Sequence, residues 1–332
     1  MKNIVTVPSN GYATSANNLI RDKVVFDGGN RTTAWINPSG KIQIVPSIIK
    51  NLEDWELDED AQGDEKSVII IHNGERYVVG EMAGWLNGRP IFQKDKTEMA
   101  LQLLLLALQP NPGERVVTVN ELLIALPDSR DQNALANLKR IEGTHEFIRN
   151  AQHVVASVRR VRAIDETKGA YALAMQHGIF QCRNRINGIL DLGGGTSIAR
   201  LYSEKGSLMR PLDVVLPGTN ALARQIDAAL LPRTGKSQNL SLIMDAIQEG
   251  SYQIGTSEIN FAELFEKAVT RWIDEIRERI KGAWSDYLPH IAEVLIVGGS
   301  APLAKPIEAI SKGRFKMAPS PQVFNLKGME LL

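Results

Sequence analysis

One motif occurs twice in this chain, and it limits the possible folds more than any other feature. An apolar run enters Asp-x-Gly-x-x-Thr and a second β-prone run leaves it. The first copy is Phe26-Asp27-Gly28-Gly29-Asn30-Arg31-Thr32 and the second is Leu190-Asp191-Leu192-Gly193-Gly194-Gly195-Thr196. The two aspartates lie 164 residues apart, about half of the 332-residue chain. Either copy alone reads as a tight turn, because Asp and Gly dominate turns. A pair at half-chain spacing instead predicts a duplicated lobe, with one such hairpin at the start of each half.

The residue types suggest what such a pair could hold. Glycines let successive backbone N–H groups turn inward and approach an anion closely. Each aspartate sits where a strand runs out and can hold a hydrated Mg²⁺ rather than touch a phosphate. Thr32 and Thr196 add hydroxyl donors. Two facing hairpins would clamp a polyphosphate between lobes, with the metal offsetting its charge. Downstream, the buried-strand run Val294 to Val297 is followed by Gly298-Gly299-Ser300, and Ala301-Pro302 then opens a helix. Proline is tolerated in a first helical turn, and the arrangement offers backbone on which a flat base or a phosphate can lie. Gly218-Thr219, between a strand Asp213 to Leu216 and a helix Ala221 to Ala229, is a weaker version of the same device. Taken alone, Gly218 reads as a loop residue.

Around these motifs the pattern is α/β. Thr32 to Ile36 resumes the strand that ends at Asp27, and Lys41 to Val45 follows a further turn. Ser67 to Ile71 and Arg76 to Val79 flank His72-Asn73-Gly74-Glu75, a hairpin signal. Asn51 to Lys66 has eight acidic residues in sixteen and reads as an exposed loop. Glu98 to Leu108 and Asn133 to Arg140 read as helices, and Glu121 to Leu126 and Val154 to Val161 as strands. Glu166 to His177 reads as a helix stopped by Gly178. Phe261 to Trp284 carries its apolar residues at helical spacing, predicting a long amphipathic helix with Trp272 and Trp284 in the core.

Composition narrows the function classes. Lys and Arg total 38 against 38 Asp and Glu, so the formal net charge is zero, which argues against a surface that is wholly a nucleic-acid footprint. The single cysteine, Cys182, excludes an internal disulfide framework and fits a reducing compartment. No apolar leader opens the chain, and its longest leucine-rich stretch, Met99 to Leu108, is half of the ~20 residues needed to span a bilayer. The expected setting is cytoplasmic, with no membrane contact. Neither a Walker-type phosphate loop nor a paired-histidine zinc spacing is present. Arg159-Arg160-x-Arg162 reads as surface charge.

These residues resemble the superfamily of actin, heat-shock chaperone and sugar kinase ATPases. Asp27-Gly28-Gly29-Asn30 and Asp191 to Thr196 look like its two phosphate motifs. Val297-Gly298-Gly299-Ser300 looks like its adenosine motif, and Ile164-Asp165-Glu166-Thr167-Lys168-Gly169-Ala170 like its first connecting helix. Tyr77 to Ala83, Glu249-Gly250-Ser251-Tyr252 and Phe324 to Gly328 are most similar to the bacterial plasmid-segregation actins, the ParM-like group. The resemblance implies a two-lobed, ribonuclease H-like duplicated fold with a nucleotide cleft between the lobes. Residues 1–20 would form an N-terminal arm and 21–185 the first lobe, with a small insertion at about 39–95. Residues 186–332 would form the second lobe, with a C-terminal end able to return to the first.

The resemblance also implies the site. Asp27 and Asp191 would direct Mg²⁺, and Glu166 would orient or activate the attacking water. Read without the resemblance, Glu166 is a first-turn acid favoured by the helix macrodipole. ATP, or GTP, would be bound by Gly28, Gly29, Asn30, Thr32, Gly193, Gly194, Gly195, Thr196, Gly218, Thr219, Gly298, Gly299 and Ser300. The implied function is an ATPase whose nucleotide cycle drives assembly and disassembly of a homopolymer filament in plasmid or DNA segregation. It would reach DNA through an adaptor protein. A small-molecule kinase of the same superfamily is the main alternative, and a chaperone or a non-hydrolysing sensor are lesser ones. The chain departs from the group at both ends. About twenty residues precede the first phosphate strand, and so little follows Gly328 that a closing terminal helix is expected to be absent or shortened.

Overall fold

The computed structural model describes residues 18–56, 63–91 and 99–332. In chain order the first-lobe strands are β1 (Asn18–Gly28), β2 (Thr32–Ile36), β3 (Ile42–Pro46), β4 (Ile48–Asn51), β5 (Ser67–His72) and β6 (Glu75–Gly80), then β7 (Arg89–Pro90), β8 (Val116–Leu126), β9 (Gly143–Arg149), β10 (Gln152–Val158) and β11 (Val161–Asp165). The second lobe adds β12 (Ile186–Asp191), β13 (Thr196–Tyr202), β14 (Val214–Pro217), β15 (Ile291–Val297) and β16 (Phe315–Met317). The helices are α1 (Glu81–Trp85), α2 (Ala100–Leu104), α3 (Gln132–Lys139), α4 (Lys168–Gln176), α5 (Thr219–Thr234), α6 (Leu240–Glu249), α7 (Ala262–Ala283), α8 (Lys305–Ile310) and α9 (Pro321–Met329).

The duplication read from the motif extends to topology. One sheet runs β3-β2-β1-β8-β10 and the other β14-β13-β12-β15-β16. In each, an antiparallel pair of strands precedes a strand that lies parallel to its next neighbour. The registers match as well: Thr32 lies opposite Pro46, and Thr196 lies opposite Pro217. The central strands are buried on both faces and accordingly read as near-continuous apolar runs, such as Val294-Leu295-Ile296-Val297. α7 buries Ala268, Trp272, Ile273, Ile276 and Ile280 along one stripe, as its spacing predicts. Trp272 within it and Trp284 at its C-terminal end are core residues with satisfied indoles, Trp272 donating to Pro217 O at 3.0 Å and Trp284 to Leu212 O at 2.8 Å.

Several sequence expectations are corrected. β1 begins at Asn18, so residues 18–20 belong to the sheet rather than to an arm, and residues 1–17 lie outside the described residues. The hairpin of β5 and β6 joins the sheet of the first lobe. β5 pairs with β9, which carries the first sheet on through β5-β6-β4-β7. β9, with a mostly polar outer face, escaped a reading based on apolar runs. The strand expected over Val154 to Val161 is two strands that share β8, β10 along its first half and β11 along its second. The helix expected from Glu98 is short: α2 covers five residues and turns carry the chain onward, buried from Leu103 to Leu108, while Glu98 itself lies outside the described residues. The acidic stretch includes the end of β4, and its residues 57–62 also lie outside the described residues.

At the other end, a closing helix is present. α9 packs on α4, and the two meet at Gly169 and Gly328, where an added Cβ would come within 3.0 Å of the opposing backbone. Leu326 and Met329 of α9 share a core with Val25, Ile36 and Leu123 of the first lobe. α9 therefore returns the C-terminal end of the chain to the first lobe, and with α4 it forms the crossing between lobes. Among the described residues no helix is long and apolar enough to cross a membrane.

Candidate nucleotide site

The two hairpins turn between β1 and β2 and between β12 and β13, and both have the same internal construction. In each, the glycine at the third motif position lies against the carbonyl of the motif threonine. A Cβ on Gly29 would sit 2.5 Å from Thr32 O, and one on Gly193 would crowd Thr196 O equally. Only glycine fits such a bend. Each turn is also braced by a hydroxyl that follows the third strand. Ser47 Oγ donates to Gly29 O at 2.7 Å, and Thr219 Oγ1 lies 3.4 Å from Gly193 O.

One cleft between the lobes is lined by both hairpins. Of the residues expected at the site, Asp27, Gly29, Asn30, Thr32, Glu166, Asp191, Gly193, Gly194, Gly195, Thr196, Thr219, Gly298, Gly299 and Ser300 line it. Gly28 and Gly218 do not. Gly28 is paired with Thr33 inside the strand ladder. Gly218 lies behind the second hairpin, where a Cβ would sit 2.6 Å from Gly195 C and 2.7 Å from Gly194 O. The first amides of α5 are turned the same way: Thr219 N donates to Gly193 O at 3.2 Å and Asn220 N to Gly194 O at 2.8 Å. This helix N-terminus therefore shapes the hairpin instead of offering those N–H groups to a ligand.

The third motif is also clamped onto the second. Gly298 has φ +95°, and a Cβ there would run into Asp191 Oδ1 and Leu192 O. Ser300 N donates to Leu192 O at 2.9 Å, and the Ser300 and Thr219 hydroxyls lie 2.8 Å apart. The segment opened by Ala301-Pro302 is one 3₁₀ turn leading into α8, where the sequence suggested a helix directly. Glu166 lines the cleft but stands outside α4, which starts at Lys168 and has no acid in its first turn. The macrodipole account of Glu166 therefore does not apply.

The cleft contains residues the motifs did not flag. Arg31 reaches across its mouth, with Nη2 2.5 Å from Asp245 and Nε 3.3 Å from Gln248 on α6. Asn325 on α9 donates from Nδ2 to Asp27 Oδ2 at 3.4 Å and accepts from Ala170 N at 3.1 Å. Met244, Ile247, Pro302 and Leu303 supply apolar lining to the same cleft. The Pro46-Ser47 pair, which echoes the Pro217-Gly218-Thr219 run, was the one available sequence signal for Ser47.

A network of ions lies behind the junction. Arg210 holds Asp165 with a two-pronged contact and reaches Asp128 at 3.1 Å. Burial pushes the Asp165 carboxyl up, but Arg210 and the Ser129 N–H outweigh it and keep it below its ordinary value. Asp213 goes the other way: burial raises it, and Arg200 offsets only part of the rise.

Comparison with known proteins fits this geometry. Residues 26–169 match the family described as actin like proteins, N-terminal domain. An archaeal actin homologue, Ta0583, superposes with a TM-score of 0.75 at 16% identity, covering 93% of this chain and 98% of that one. The fold is actin-like. A 15-stranded ParM filament from Clostridium botulinum aligns with a TM-score of 0.73 at 19% identity over 93% of this chain and 98% of its own. The pSK41 ParM protein aligns at 0.68 and 17% identity over 95% and 96%. Ta0583 has also been solved in complex with ADP. No curated protein matches the sequence. The actin-like fold expected from the motifs stands, with ParM proteins and an archaeal actin homologue among its structural neighbours.

Proposed function

We propose that this chain is a filament-forming actin-like ATPase, in which nucleotide binding favours assembly and hydrolysis times disassembly. The observation that carries the reading is the pair of interlocked hairpins, one from each lobe, lining a single cleft with Asp27, Asp191 and Glu166. The donor set suits the group it would take. Glycine bends that no Cβ can enter fit a closely approaching triphosphate, and two carboxylates with nearby hydroxyls are oxygen ligands of the kind Mg²⁺ takes. When bound, the cation would neutralise developing phosphate charge.

The chain's own residues would do the rest. The hairpin backbone orients the phosphates, the apolar lining by Met244 and Ile247 takes the base, and Glu166 accepts a hydrogen bond from the attacking water. Since both lobes contact one ligand, ATP and ADP would favour different degrees of closure, and such a difference is what a polymerisation switch requires. The filaments formed by structural neighbours support self-association as the output. Segregation of a plasmid or other DNA is the proposed work, in the cytoplasm and through a DNA-binding adaptor, consistent with a formal net charge of zero.

Sedimentation and negative-stain microscopy with Mg²⁺ and ATP, against ADP, test the reading. Filaments with ATP alone are expected. Phosphate transfer to a sugar without sedimentation would replace it with a kinase. Glu166→Ala should slow phosphate release about 100-fold and leave ATP affinity intact. An unchanged rate would remove Glu166 from the chemistry.

A further inference from the structure

The last five residues of β13 are buried, and one of them carries a charge. Within Ile198-Ala199-Arg200-Leu201-Tyr202, Arg200 carries a charge yet is only 2% exposed. A cation in that position must be fully partnered. Its Nε donates to Asp213 Oδ2 at 3.0 Å within its own lobe. The other two nitrogens cross to the first lobe: Nη1 donates to the backbone carbonyl of Glu166 at 2.6 Å, and Nη2 donates to the carbonyl of Pro127. Those carbonyls lie just past the ends of β11 and β8, the strands that deliver the chain to the cleft.

The neighbours of Glu166 are held the same way. Asp165 is gripped by Arg210, and Thr167 Oγ1 is 2.8 Å from Tyr202 OH. Thr167 is fully buried at φ +75°, a left-handed conformation that is costly for a β-branched residue and persists only where surroundings enforce it. Three consecutive residues, one of them the acid facing the cleft, are thus fixed by side chains of the opposite lobe.

We infer that Arg200 is a positioning residue, which sets the backbone of Glu166 from across the lobe junction so that its carboxylate is aligned only when the lobes are correctly apposed. The inference rests on the water-orienting role proposed for Glu166. Arg200 touches no nucleotide in this scheme. It acts through Glu166, and a planar guanidinium can hold two carbonyls in fixed relation where an ammonium cannot.

Arg200→Lys keeps the charge and loses the fork. Arg200→Met combined with Asp213→Asn removes both charges and strands no buried carboxylate. In the nucleotide-free protein, hydrogen exchange of the Glu166 amide, which bonds Leu126 O at 2.7 Å, should quicken at least about fivefold in both variants while β12 and β15 stay protected. With ATP, phosphate release should fall about 10- to 100-fold while the ATP dissociation constant stays within about twofold. In a Glu166→Ala background Arg200→Lys should cost nothing further, because two residues acting as a unit are non-additive. Unchanged exchange at Glu166, a loss that adds to that of Glu166→Ala, or a loss of binding equal to the loss of rate would each overturn the inference. If the wild-type protein hydrolyses no nucleotide, the proposed function fails, and the exchange measurement still decides whether Arg200 holds the segment.

Discussion

The two hairpins have the same bend but different tips. The first presents side chains, Asn30 and Arg31, where the second has Gly194 and Gly195. The contacts are crosswise: the space a Cβ would need at Gly194 is taken by Arg31, and the space at Gly195 by Asn30. Position four of one motif meets position five of the other in both directions, as an approximate two-fold relation between lobes requires. Two copies of the first tip would collide, and two copies of the second would leave a gap. Divergence at these two positions lets duplicated lobes close on one another, while the shared glycine keeps each bend.

That contrast can be tested where it predicts equality. Gly29→Ala and Gly193→Ala place a methyl against the same backbone carbonyl in each hairpin, and a carbonyl cannot give way as a side chain can. Overpacking of this kind costs about 1–3 kcal/mol, so each should weaken Mg²⁺-ATP binding roughly 10- to 100-fold in calorimetry. If one lobe dominates the grip, the two losses will differ by more than that range. Gly195→Ala should cost less, because the obstructing Asn30 side chain can move. Pairing it with Asn30→Gly should restore binding, and failure to do so would break the crosswise account.

The duplicated motif carried the fold because it encodes a bend that only glycine permits, and half-chain spacing made coincidence a poor explanation. α7 and the buried strands were legible for the usual reason, since a single face or a double burial leaves a periodic trace. What stayed hidden depended on contacts between separate stretches of the chain or left no apolar pattern. Asn325 matters through Asp27, 298 positions away, and Ser47 through the carbonyl of Gly29. β9 is half exposed and has no apolar run. The shortening of α4 at Glu166 follows from the Thr167 backbone, which no propensity favours. Arg200 was missed although a signal existed: a lone cation inside the apolar run Ile198 to Tyr202 requires a buried partner.

A smaller effect is expected at the mouth of the cleft, where the unequal tip of the first hairpin meets the second lobe. Arg31 is paired with Asp245, whose side chain is about half exposed. Ion pairs of this exposure contribute about 0.2–1 kcal/mol. Asp245→Asn should therefore speed release of ADP by up to about fivefold, with little change in the rate of hydrolysis. Stopped-flow displacement of a fluorescent nucleotide would measure it, and raised salt should reproduce part of the effect in the wild-type protein. An unchanged release rate would mean that Arg31 serves only to fill the space above Gly194.

The smallest expected effect separates the lobes by the sign of their response to acid. From the first lobe, Asp165 and Asp128 are held below their ordinary 3.8. Arg210 overcomes the burial of Asp165, and Arg130, ahead of Arg210, takes Asp128 down to about 2. A carboxyl with a depressed folded value contributes stability that is present above 3.8 and lost as pH falls through the folded value. Asp213, from the second lobe, is raised by burial, so its contribution is present below 3.8 and lost as pH rises through its folded value. The two lobes thus oppose one another around the same junction. Thermal melting between about pH 2.5 and 6 should show Asp165→Asn flattening the acid limb below 3.8, and Asp213→Asn flattening the curve above it. Melting curves that shift the same way in both variants would mean that Asp213 is held ionised by Arg200 in the folded protein, and that burial does not set its proton affinity.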